Sequence, residues 1–232
     1  MGRKAEFLED AKKDLDEFMK FAGSFREPGA FTEPLERLRA GITQDALFNW
    51  PEYKPLKDAW FAALFSLGYQ EWGRVLTEVL LCDPKNEFPD FQVRIRGQVF
   101  DFEATMAMRP GRLLGLLYKG TRVLGPPAWK RPESLPEFDP RPFQDAIRKK
   151  ATKHYSPKPH LLVYLSLLGK DVSDEVIRKA ARIKEAEHFR SIWVVGGGTY
   201  YLMCAKRSDE LPAFDGWFKI PVLPAGDATL AP

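Results

Sequence analysis

Residues 89–105 read Pro89-Asp90-Phe91-Gln92-Val93-Arg94-Ile95-Arg96-Gly97-Gln98-Val99-Phe100-Asp101-Phe102-Glu103-Ala104-Thr105, and their reading decides the fold. Val93, Ile95, Phe100 and Phe102 alternate with polar neighbours at the period of a half-buried strand, and Arg96-Gly97-Gln98 supplies a turn. The stretch therefore predicts a short β-hairpin. Side chains two apart on a strand share a face, so Asp101, Glu103 and Thr105 lie together. Acids gathered on a pleated surface repel one another and lose hydration, so the arrangement calls for a cation or a basic group nearby.

Pro89-Asp90, a short gap, and then a hydrophobic strand carrying Glu103-Ala104-Thr105 resembles the PD-(D/E)xK superfamily, the restriction-endonuclease-like nucleases. The position two residues after the second acid, where that family usually has lysine, holds Thr105. In this respect the chain looks like a bacterial branch in which the strand reads Glu-x-Thr and the lysine comes from a later helix. The resemblance spans roughly residues 71 to 204. It implies an α/β fold with a restriction-endonuclease-like core, a mixed central β-sheet flanked by helices, and a Mg2+ or Mn2+ ion held by Asp90 and Glu103. Asp101 would be a further metal ligand, for a second cation, or would only tune the first. The family often adds an acid from a helix before the first strand. Glu78, at the edge of an apolar face formed by Trp72, Val75, Leu76 and Val79, is the candidate, with Glu71 the weaker choice.

A displaced lysine can be sought by helical geometry. From Pro140 to Tyr155 the apolar positions Phe143, Ala146, Ile147 and Ala151 follow helical spacing, and Lys150 falls among them. A lysine pointing inward must snorkel or meet an anion, which the acidic hairpin would provide. Lys150 is therefore the expected catalytic lysine, with Lys149 and Lys153 off the stripe as substitutes. The near-continuous apolar run His160 to Leu168 then reads as a strand buried on both faces.

These residue types suit phosphodiester hydrolysis. A hard divalent cation on oxygen ligands can activate water and stabilise charge growing on a phosphate, and a nearby ammonium adds to that stabilisation. Each residue also has an ordinary reading: Asp90 as a turn residue, Asp101 and Glu103 as the wet face of a hairpin, Lys150 and Glu78 as solvated surface. The rival reading is a catalytically inactive nuclease-fold protein that binds nucleic acid or a protein partner.

The net charge of +3 over 232 residues announces no nucleic-acid binder. Its distribution is more telling: between Arg109 and Lys158 there are twelve basic residues and four acidic ones, so the rest of the chain is net acidic. A basic stretch after an acidic site would steer a nucleic-acid polyanion towards it, with DNA expected ahead of RNA and Lys149, Lys153, Lys130 and Arg131 as the candidate contacts. The histidines His154, His160 and His188 make no HExxH pattern, and there is no phosphate-loop or nucleophile-elbow motif. Cys82 and Cys204 show no paired metal spacing and read as buried thiols. No apolar run reaches about twenty residues and the N-terminus does not read as a signal, so the expectation is a cytoplasmic protein without membrane contact. A homodimer is compatible with the sequence.

The remaining periodicities predict helices over 5–22, around 34–39, over 51–67 and over 173–189, the last with Val176, Ile177, Ala180 and Ile183 inward. Strands are expected at 191–195 and 200–204, joined by the glycine run at 196–198. Residues 125–142, with six prolines, should form a loop. Three regions follow: an N-terminal helical extension (1–70), the nuclease-like core (71–210) and a proline-rich C-terminal tail (211–232) that ends in disorder.

Overall fold

The computed structural model describes residues 2–43, 46–47, 50–86, 88–107, 138–165, 172–196 and 201–221. The hairpin forms the second and third strands of a seven-stranded sheet: β1 (Thr77–Leu81), β2 (Phe91–Ile95), β3 (Gln98–Ala107), β4 (His160–Leu165), β5 (Ile192–Gly196), β6 (Tyr201–Lys206) and β7 (Phe218–Lys219). The strands lie side by side in chain order. β3 to β4 and β4 to β5 are parallel, and every other pairing is antiparallel. The fold is α/β with a mixed sheet.

Five helices pack around the sheet among the described residues: α1 (Gly2–Ala22), α2 (Thr32–Ala40), α3 (Lys54–Gly73), α4 (Arg141–Ala151) and α5 (Asp174–Ala180). Strand residues divide between two cores by alternation. Phe100, Phe102, Leu162, Trp193, Val195 and Leu202 join α3, with Leu35 and Phe18 from the other N-terminal helices, in one cluster. Leu161, Val163, Ile192, Val194 and Met203 join α4 and α5 in the other. The sheet is thus covered on both faces, which explains the unbroken apolar run of β4.

The hairpin forms as its sequence dictates. Arg96 and Gly97, both at positive φ (51° and 82°), make the two-residue turn, and Ile95 pairs with Gln98 directly beside it. Consecutive left-handed residues match the twist of antiparallel strands, and Gly97 adopts that geometry without strain.

Residues 1–70 do not stand apart as an extension. Helix α3 is apolar around nearly its whole circumference, and it is the central packing element of the first core. Phe65 meets Phe102 and Trp193 with ring centroids 4.7 and 5.2 Å apart. At Gly68 the helix approaches the sheet so closely that a Cβ would come 3.1 Å from side-chain atoms of both Leu202 and Ile220.

Several local expectations need correction. The helix expected around Trp72 to Val79 ends at Gly73, where Arg74 turns left-handed, and Thr77–Leu81 runs on as strand β1 with Thr77, Val79 and Leu81 buried. Leu76, expected on an apolar helix face, is exposed. The 173–189 helix stops at Ala180; Ile183 is extended, a 3-10 turn follows at Lys184–His188, and Val176 is exposed. The region after residue 211 is partly integral to the sheet: Leu211, Phe214 and Ile220 are buried and β7 pairs with β6. The loop expected at 125–142 and the glycine turn fall largely outside the described residues, as does the end of the C-terminal tail. No helix among the described residues is long and apolar enough to cross a membrane.

Because α3 supplies one core face, a chain lacking residues 1–70 should lose cooperative unfolding and near-ultraviolet circular dichroism. Full-length Phe65→Ala should lose about 3–5 kcal/mol of stability in urea titrations.

Candidate functional site

Three chain segments bring the site together. Asp90 stands at the entry to β2, where its N–H donates to the Phe102 carbonyl at 3.0 Å, tying it to β3. Its carboxylate Oδ2 accepts from the Ala104 N–H at 2.9 Å, so the β3 backbone fixes the side chain. Glu103 leaves β3 on the face opposite Phe102 and is fully buried. Helix α4 buries Phe143, Ala146, Ile147 and Ala151 and carries Lys150 at the edge of that stripe. The Lys150 ammonium donates to Asp90 Oδ2 at 3.0 Å and to Glu103 Oε2 at 2.5 Å.

Asp90, Glu103 and Lys150 therefore converge. Lys149 is exposed on α4. Lys153 is also exposed, and its ammonium lies 3.8 Å from Glu103 Oε2. Asp101 shares the Glu103 face but accepts from the Gln92 amide at 2.8 Å rather than from the lysines. Glu78 is not brought to the site. It sits on β1, paired with Arg94 at 2.9 Å, level with Val99 of β3 and so about 13 Å along the strand direction from Glu103. The reason is the left-handed Arg74, which ends the helix that was expected to carry it. Glu71 lies near the end of α3 as an exposed residue. Lys130 and Arg131 lie outside the described residues.

Sequence reasoning missed three members of the cluster. Lys54 and Asp58, one turn apart on α3, pair at 2.6 Å, and the Lys54 ammonium also reaches Asp90 Oδ1 at 2.5 Å. The one available signal was an acid within the apolar body of α3, where an unpaired carboxylate is costly. Tyr155, just beyond α4, donates its hydroxyl to Glu103 Oε2 at 2.6 Å. No periodicity marks it. The result is a line of alternating groups: Asp58, Lys54, Asp90, Lys150, Glu103, Tyr155.

Burial acts to raise the Asp90 pKa, but Lys150 and Lys54, together with the Ala104 N–H, overcome it and hold the carboxyl at about 2. Asp58 goes the other way. Burial, reinforced by Asp90, lifts it to about 6 against the pull of Lys54 and Lys150. Burial pushes the Tyr155 hydroxyl up, aided by its bond to Glu103, so it stays protonated as a donor. The Cys82 thiol beside the cluster is raised to about 12 by burial and by Asp101, Asp90 and Glu103, which removes it as a thiolate nucleophile at neutral pH.

Lys150 and Tyr155, the two side chains that donate to Glu103, both crowd its Oε2. Its other oxygen, Oε1, is buried and has no hydrogen-bond partner among the described residues. No three carboxylate, imidazole or thiol groups among the described residues form a ready metal cage. Asp90 and Glu103 nevertheless fit Mg2+ or Mn2+, because Mg2+ takes one or two protein carboxylates and completes its shell with water and substrate phosphate. The unpartnered Oε1 is the free acceptor such an ion would use. Compared with protein-family models, curated proteins and solved structures, the chain matches none.

Removing Lys150 would leave Glu103 buried and under-compensated. Lys150→Met should therefore cost about 3–5 kcal/mol in urea titrations, whereas Lys149→Met should stay within about 0.5 kcal/mol.

Two buried groups should also oppose each other in mild acid. His160 is held neutral to about 4 by burial, with Arg190 adding to the effect, so it costs stability as pH falls from 6.5 towards 4. Asp58 binds its proton near 6 when folded but near 3.8 when unfolded, so it adds stability as pH falls through that window. The unfolding midpoint should vary little between about pH 6 and 4. Asp58→Asn should expose an acid-side loss of about 1 kcal/mol per pH unit, and His160→Gln should reverse the slope.

Proposed function

We propose that this protein hydrolyses phosphodiester bonds of nucleic acid, with DNA expected ahead of RNA, using Mg2+ or Mn2+ at a PD-(D/E)xK-like site. The observation that carries the reading is the Lys150 ammonium between Asp90 and Glu103, beside a buried carboxylate oxygen with no partner. Lys150 comes from a helix, which answers the threonine at position 105 of the motif strand. The mixed sheet flanked by helices is consistent with the restriction-endonuclease-like arrangement.

Asp90 and Glu103 would hold the ion, which would polarise the phosphate and acidify a bound water. Tyr155 and Lys150 keep Glu103 Oε2 occupied, so that carboxylate presents its other oxygen. With its side chain only 11% exposed, Lys150 is shielded enough for its ammonium to stabilise the extra negative charge of the pentavalent phosphorane. Lys153 and Lys149 flank the site as cations for the neighbouring backbone phosphates.

A second reading has its own support. The carboxylates are already countered by lysines, as in a fold that binds nucleic acid or a protein without cutting. Incubation with circular and linear DNA and with RNA, in Mg2+ or Mn2+, separates the two. The enzyme should cut DNA only with metal, and Asp90→Asn or Glu103→Gln should lower the rate by at least about a hundredfold with circular dichroism unchanged. Salt-sensitive DNA binding without cleavage in either metal would favour the second reading.

A further inference from the structure

We propose that Lys54 is a built-in counter-cation of Asp90 and that a divalent ion loads the site by displacing its ammonium, which Asp58 then retains. This rests on the metal-centre reading above and adds a gate to it.

Asp90 has three donors. Its Oδ2 takes the Ala104 N–H and the Lys150 ammonium, and its Oδ1 takes the Lys54 ammonium at 2.5 Å. A cation ligating Asp90 through Oδ1 would stand about 4 Å from the ammonium already on that oxygen, so like-charge repulsion drives one of the neighbouring donors away. The Ala104 N–H is part of the β3 backbone and cannot move independently. Lys150 is 11% exposed and also holds the fully buried Glu103, so its departure would strand a second carboxylate. Lys54 differs on both counts. Its side chain is 48% exposed, so it regains water on moving, and it keeps a partner 2.6 Å away in Asp58, one turn along the same helix.

The surroundings allow the exchange. Lys54, Asp58 and Asp90 line a surface cleft with Cys82, Asp83 and Asn86, so an ion arriving from solvent reaches Oδ1 without passing through the core. An ammonium carries one positive charge and a divalent ion two. The cleft is lined by the carboxylates of Asp58, Asp83 and Asp90 and, among the described residues, by the single ammonium of Lys54, so the exchange brings in charge where acids outnumber bases. Asp58 thereby acts as a positioning residue: it retains the displaced lysine within reach of Asp90, ready to close the site when the ion leaves.

The experiment is a titration of the full chain with Mn2+ alone, read by electron paramagnetic resonance of the free ion. Lys54→Gln should bind Mn2+ about tenfold more tightly than the unmodified chain, while Lys57→Gln, the same loss of charge three residues away, should change affinity less than about threefold. Lys54→Arg, which grips carboxylates with two donors, should bind Mn2+ more weakly and decides the matter if Lys54→Gln does not fold. Equal Mn2+ affinity in the unmodified chain and the Lys54 variants would overturn the gate and leave the metal centre standing. Absence of Mn2+ binding in all of them would overturn both.

Discussion

An ammonium enclosed between two carboxylates is the constraint on which the rest of this structure turns. Glu103 is fully buried on β3, and Asp90 is pinned by the β3 backbone through the Ala104 N–H. A carboxylate held in such surroundings is costly unless a cation is supplied from elsewhere in the chain. That cation comes from α4, whose apolar stripe sets the helix on the sheet and whose Lys150 lies at the edge of that stripe. Docking of α4 thus delivers the Lys150 ammonium, so the site is incomplete unless that helix is seated.

The same economy holds on the other side. Helix α3 fills the core with Phe61, Leu64 and Phe65, and its first turns present Lys54 and Asp58 to Asp90. A single element therefore contributes both hydrophobic burial and the second half of the charge network. The alternation of acid and base along the cluster lets five charged groups sit close together at the boundary of two packed layers, each touching a partner of opposite sign.

Much of this was legible in the sequence where a period was present. The β2–β3 hairpin, the α4 stripe with Lys150 on its edge, and the doubly buried β4 all follow from spacing alone, because one face of each must be apolar. What was hidden depended on single residues or on distant partners. Trp72, Val75, Leu76 and Val79 fit helical spacing, yet Arg74 breaks the helix and moves Glu78 onto a strand. Lys54 and Asp58 have the i,i+4 spacing of an ordinary surface pair, and only the fold shows that they abut Asp90. Tyr155 lies past the helix end, in a segment with no repeat to mark which way it faces. Leu211, Phe214 and Ile220 are spaced irregularly among prolines and glycine, so their burial left no pattern to read.

One smaller feature bears on how the molecule keeps to itself. Outside β1, Arg26 forms an antiparallel bridge with Val79, exchanging both backbone hydrogen bonds at 2.9 and 2.7 Å. The guanidinium of Arg94 on β2 lies 3.7 Å from the centre of the Phe25 ring, anchoring that crossing segment. An outer strand with free N–H and C=O groups is a template for pairing with other chains. Here the middle of β1 is already stitched by the protein's own backbone, so a foreign strand seeking to extend the sheet would first have to peel that segment away.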